Sequence, residues 1–115
     1  MSMPKNTIRL RHMLDAANKI MKFIKNRSRS DLDTDEMLIL AILKLIEIIG
    51  EAASSVTFEI KEKHPEIPWR QIISVRNRLI HGYFDINHNI LWEIVIKDLP
   101  PLIKNLEIML TEIEN

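Results

Sequence analysis

The chain has no cysteine, which excludes disulfides, thiolate metal sites and a thiol nucleophile, and leaves no mark of an oxidising compartment. A cytoplasmic location is the expectation. Aromatic residues make up only 5% of the sequence, against 20 Ile, 13 Leu, 3 Val and 5 Ala, so the interior is expected to be aliphatic. Neither sign of charge is in excess. Sixteen Lys plus Arg balance sixteen Asp plus Glu, so no bulk field draws nucleic acid or an anionic membrane, and any nucleic-acid role must rest on a local patch. Long apolar runs are absent too. Met37 to Leu43, the longest, is cut by Lys44, far short of the ~18 residues a membrane span needs. Met1 to Arg11 lacks the apolar block and small-residue cleavage site of a secretory signal, and no membrane partner is expected.

What remains is an ordinary globular composition, 46% hydrophobic and 28% charged over 115 residues. That suffices for one domain, 1–115, whose folding buries roughly two thirds of the unfolded surface. Ile8, Leu10, Met13, Leu14, Ala17, Ile20, Met21 and Ile24 recur at threes and fours and predict a helix over 7–25. Asn26 to Asp35 (NRSRSDLDTD) holds one apolar residue in ten and reads as a solvated loop. Asp33 with Glu36 resembles a capping box, so a second helix is expected to start there and run to about Lys63. Its buried stripe would be Leu38, Ala41, Ile42, Leu45, Ile49, Ala52, Ala53 and Val56. Pro65 and Pro68 turn the chain into a third helix, which starts at Pro68 or Trp69 and ends at Gly82. After a loop over 85–89, Ile90, Leu91, Ile94 and Val95 predict a fourth helix stopped by Pro100 and Pro101, and Leu102, Leu106, Met109, Leu110 and Ile113 a fifth. No alternating strand pattern appears. The expectation is an all-α bundle of four or five helices.

Side chains able to do chemistry gather in Val75 to Phe84 (VRNRLIHGYF), where Arg76, Asn77, Arg78, His81 and Tyr83 lie together at a helix end. An imidazole can move a proton near neutral pH and a guanidinium can stabilise charge on phosphoryl oxygens, so Arg76 and His81 suit phosphodiester cleavage without a metal. Five residues apart, they sit roughly 140° from each other around a helix. They converge only if the helix frays at Gly82 or a two-fold dimer brings both copies of the segment to one groove. Asn77, four residues before His81, shares its face and can orient the imidazole. A plainer reading of the same residues is a pair of arginines in surface ion pairs, a histidine at a helix C-terminus and a tyrosine in an interface.

The segment resembles the signature of the HEPN superfamily of ribonucleases, an arginine followed after four to six residues by a histidine, and Tyr83 two residues on resembles its HepT branch. Glu47-Ile48-Ile49-Gly50-Glu51-Ala52, Ile67-Pro68-Trp69, Arg76-Asn77 and Asp98-Leu99-Pro100 fall in that family's order, and the similarity runs from about Asn6 to Leu110. The resemblance implies a HEPN-like helical bundle that forms a two-fold homodimer, with the active groove between the two signature segments. It implies a metal-independent endoribonuclease without a cofactor. Arg76 and His81, with Asn77 as polar neighbour, would promote attack of a ribose 2′-hydroxyl on the adjacent phosphate, leaving a cyclic phosphate and a 5′-hydroxyl. The implied partners are RNA and a minimal nucleotidyltransferase antitoxin, the MntA-like half of a HepT/MntA toxin–antitoxin system (type II, type VII-like). This antitoxin transfers AMP to the signature tyrosine, here Tyr83. Phosphate added there would occupy Arg76 and crowd the groove. The alternative is a non-catalytic helical adaptor that binds such a nucleotidyltransferase.

Elsewhere, Gly50 sits in a helix interior, at a cost of ~1 kcal/mol relative to Ala, which predicts that another backbone packs closely against it. Glu47 and Glu51 are expected to pair with Arg76 or Arg78 and hold the signature helix in place. His81, Asp85 and His88 are interrupted by Gly82 and a loop, so no metal site is expected. His12 and His64 read as surface residues, and Trp69 and Trp92 as seals between helices. Lys61, Lys63 and Arg70 flank the Pro65 turn and would widen a positive rim around the signature, diluted by Glu62 and Glu66.

Overall fold

The apolar spacing of the N-terminal segment produces one long helix, α1 (Ser2–Phe23), whose inner face buries Leu10, Met13, Ala17 and Ile20 completely. The computed structural model describes residues 2–82 and 86–114, with residues 2–4 and 81 described by backbone alone. All regular structure among the described residues is helical. Beyond α1 follow α2 (Asp31–Thr34), α3 (Glu36–Ser55), α4 (Phe58–Lys63), α5 (Trp69–His81), α6 (His88–Glu93) and α7 (Leu99–Glu114). Helix α1 packs along α3 and against α7, and α3 carries α5 on its other side. The core between them is aliphatic, as composition implies, with Ile42, Leu79, Leu91 and Leu106 wholly enclosed and Trp69 its one aromatic member among the described residues.

Four local expectations need correction. The polar stretch after α1 is not all loop. Asn26 takes a left-handed conformation (φ 63°) that asparagine tolerates, and the chain then winds into α2, whose single apolar residue, Leu32, is buried. Arg29 pairs with Asp33 at 2.5 Å, and Asp33 accepts from His88 at 2.6 Å, so α2 is tied to α6. These contacts, the His88 hydrogen bond first, hold the Asp33 carboxyl below its ordinary value.

The second correction concerns the start of α3, which is capped by Asp35 and not Asp33: the Asp35 carboxylate accepts the Leu38 N–H at 3.0 Å. Thirdly, the helix does not reach Lys63. Val56 turns extended, Thr57 caps α4 from an extended conformation, and the break is held by Asn6 from α1. Asn6 is 1% exposed; it donates to the Thr57 hydroxyl and accepts the Thr57 N–H, both at 3.0 Å.

The fourth concerns Pro100 and Pro101, which begin a helix and do not stop one. Helix α6, which starts at His88 inside the expected loop, passes into a π-helical turn, Ile94–Asp98, and on into α7. The Leu99 N–H reaches back five residues to the Ile94 carbonyl. The widened turn resets the register, and both prolines fall in the first turn of α7 directly after it. The loop between α4 and α5 agrees with expectation, as does the start of α5 at Trp69. No helix among the described residues is long and apolar enough to cross a membrane.

Candidate active site

The signature arginine lies on α5 where that helix crosses α3, and a glycine makes the crossing possible. A Cβ at Gly50 would lie 2.2 Å from Arg76 Cβ and 2.7 Å from Arg76 Cγ, with the Ile72 carbonyl at 3.3 Å. The close approach inferred from Gly50 is therefore made by the root of the Arg76 side chain itself. From this niche the guanidinium turns toward α3 and along α5. Nη2 pairs with Glu51 Oε2 at 2.7 Å, and Nη1 donates to Asn77 Oδ1 at 2.6 Å. Nε is enclosed with no hydrogen-bond partner among the described residues.

Arg76 is thus held at three points and is only 18% exposed, whereas Glu51 is 64% exposed. An ion pair with so open a carboxylate is worth at most about 1 kcal/mol. An incoming phosphate can displace Glu51 at little cost. Glu47 lies 3.5 Å from Lys44, and Arg78 is exposed. Helix α5 remains helical through His81, and Gly82 ends it in an extended conformation (φ −176°) without the left-handed turn glycine often supplies. Asn77 bridges two faces: its side chain meets the Arg76 guanidinium, and its position is one helical turn from position 81. The side chain of His81, and Tyr83 with Phe84 and Asp85, lie outside the described residues. The grouping of His81, Asp85 and His88, from which no metal site is expected, therefore falls partly outside them, and His88 is turned to Asp33.

The chain matches the sequence profile of the family described as Ribonuclease HepT-like over residues 13–109. The chain belongs to the HepT-like ribonuclease family. That span encloses Gly50, Glu51 and the whole of α5. Among proteins similar to this HepT-like chain is one from Caldanaerobacter subterraneus subsp. tengcongensis, named as an RNase, 37% identical over 85% of this chain and 88% of its own length. A second, from Methanocaldococcus jannaschii and also named as an RNase, is 36% identical over 84% of this chain and 89% of its own. A third, from Thermococcus cleftensis, carries the name ribonuclease HepT and is 36% identical over 81% of this chain and 84% of its own. No solved structure matches this HepT-like chain.

Two hollows flank α5. On the core side an apolar cleft of about 280 Å³ lies between α3, α5 and α7, lined by Ile49, Ile72, Val75 and Leu99. On the outer side an open groove of about 1040 Å³ runs from Asn77 past Ser74 and Arg70 to Phe58 and Lys61 of α4. Of the expected positive rim, Lys61 and Arg70 line this groove and Lys63 does not. Burial depresses the Lys61 ammonium below its usual value. Glu66 is drawn off to His64 at 3.0 Å, and its carboxyl is held below the usual range by its own backbone N–H and then by that contact. The half-buried His64 is thereby corrected from a plain surface residue. Trp69 is committed to packing: it is 8% exposed and its Nε1 donates to the His64 carbonyl at 3.0 Å. Phe58 and Ser74, which periodicity did not mark, complete the outer groove.

Proposed function

We propose that this HepT-like ribonuclease is the toxin of a HepT/MntA toxin–antitoxin pair, a cytoplasmic, metal-independent endoribonuclease working as a two-fold homodimer of single-domain chains. The observation that supports the reading most is the setting of Arg76, held by Gly50, Glu51 and Asn77 on the helix that also carries His81. In the reaction the ribose 2′-oxygen bonds to phosphorus as the bond from phosphorus to the 5′-oxygen breaks. The 2′-hydroxyl loses its proton and the leaving 5′-oxygen gains one. His81 moves the proton, and Arg76, released from Glu51, stabilises the charge that builds on the phosphoryl oxygens. Asn77 orients the imidazole from one turn away. Since α5 stays helical through His81, the two side chains converge through two-fold pairing of α5 and not through fraying. Tyr83, just past the helix end, is the residue to which the nucleotidyltransferase antitoxin adds AMP, and the added phosphate occupies Arg76.

Expression in cells tests the pair. The chain alone is expected to arrest growth and degrade RNA, and His81→Ala to abolish both. Co-expression of the nucleotidyltransferase encoded beside it is expected to restore growth and to raise the intact mass by whole AMP units, while Tyr83→Phe stays toxic beside that partner. Arrest undiminished by His81→Ala would contradict the assignment, and unmodified Tyr83 in rescued cells would contradict the mode of silencing.

A further inference from the structure

Helical spacing places Arg70, Ser74, Asn77 and position 81 on one face of α5, at steps of four, three and four. Arg76 lies off this face. At 1.5 Å per residue the row extends about 16 Å from Arg70 to position 81, and the outer groove runs along the described part of it. The groove therefore leads away from the place where the proposed reaction occurs, on the side opposite the Glu51 contact.

Its lining is suited to a polyanion with flat, apolar bases. Lys61 and Arg70 form no ion pair with a carboxylate among the described residues, and Glu66, the acidic residue nearest in sequence to Arg70, is turned to His64. Phe58 is 73% exposed at the first position of α4, where a large aromatic contributes little to the core but offers a free face for stacking. Ser74 and Asn77 supply polar edges between the cations and the site. Glu62 also lines the groove and opposes an anion there. The partial burial of Lys61, which disfavours its charge, is compensated when a phosphate arrives beside it.

Resting on the ribonuclease reading above, we propose that this groove is the track of the single-stranded RNA next to the cleaved bond: Lys61 and Arg70 hold a flanking phosphate, and an unpaired base stacks on Phe58. Recognition here is of backbone charge and base faces, so the enzyme prefers unpaired RNA over duplex, whose bases present no free face.

The test uses the full chain and two labelled oligoribonucleotides, one cleavable and one with 2′-O-methyl riboses that removes the attacking hydroxyl. Binding of the uncleavable strand isolates the groove from the chemistry. Lys61→Ala combined with Arg70→Ala is expected to weaken it about tenfold or more, and to lower the slope of log affinity against log salt by about 0.7 per cation removed. Phe58→Ala is expected to weaken binding several-fold without altering that slope, and Glu62→Gln to tighten it. Lys19→Ala on α1, remote from the groove, serves as the control for a general change of charge. Circular dichroism confirms that each variant is folded, which the exposure of Phe58, Glu62 and Arg70 favours. Unchanged affinity and salt slope in the double variant overturn the track, whatever happens to cleavage. Loss of binding in that variant upholds the track even where the cleavable strand survives intact in wild-type protein, a result that would count against the ribonuclease reading alone.

Discussion

Arg76 owes its position to a residue with no side chain. Gly50 is the point at which α5 settles on α3, and in the sequence it is visible as a weak spot in a strong helical pattern that calls for a close approach without saying which residue makes it. Gly50→Ala is therefore a direct probe of the site. Alanine in a helix interior gains ~1 kcal/mol over glycine. A Cβ placed 2.2 Å from Arg76 Cβ meets the fixed root of a side chain, so α5 must move, at an overpacking cost of about 1–3 kcal/mol. The net expectation is a loss of stability of up to about 2 kcal/mol by denaturant titration. RNA cleavage should fall further than that, at least tenfold, because a displacement near 1 Å can cost ~100-fold in rate. A variant as stable and as active as wild type would show that α5 does not need this approach. The partner of the guanidinium was less legible than the approach itself: spacing admits either Glu47 or Glu51 and either Arg76 or Arg78, and only the crossing angle of two helices selects Glu51 with Arg76.

The helices that periodicity reveals are those whose stability is local to their own stripe: α1, most of α3, α5 and the body of α7. The places where the expectation failed are decided at a distance. The break between α3 and α4 follows an apolar pattern that would continue a helix, and it exists because Asn6, 51 residues away, satisfies Thr57 at both its hydroxyl and its N–H. Asn6→Ala removes both hydrogen bonds in a buried setting and leaves the Thr57 amide without its partner. A loss of about 1–3 kcal/mol is expected, read as a lower thermal midpoint with helical content nearly unchanged. A stability equal to wild type would mean that the sequence around Val56 breaks the helix unaided. Pro100 and Pro101 teach the same lesson in reverse. Two prolines read as a stop signal, but a preceding π-helical turn moves them into the first turn of the next helix, and that turn has no pattern of its own in the sequence. Asp33 and Arg29 likewise read as loop residues until Leu32 finds a buried place and α6 reaches back to them through His88 and Asn89.

Over the whole molecule, the zero net charge holds only as an average. Within it, α5 separates two surfaces: one side holds Arg76 against α3, and the other opens as a groove bearing Lys61 and Arg70. Composition excluded attraction by bulk charge and left a local patch as the route to RNA, and the helical row from Arg70 to position 81 supplies its place. The family was legible because the spacing of Arg76, His81 and Tyr83 is a short-range pattern within ten residues. Of the groove only the cations Lys61 and Arg70 were legible; Phe58 was not, because it reaches α5 only after the chain has turned through Pro65 and Pro68. The central claim is that Arg76 and His81 cut RNA without a metal. It is tested most directly by incubating end-labelled RNA in excess EDTA with wild-type protein purified without its partner, beside Arg76→Ala and His81→Ala. The account predicts cleavage by the wild type alone, ending in cyclic phosphate. Equal cleavage by all three, or an intact strand beside wild-type protein whose Tyr83 is unmodified, would contradict it.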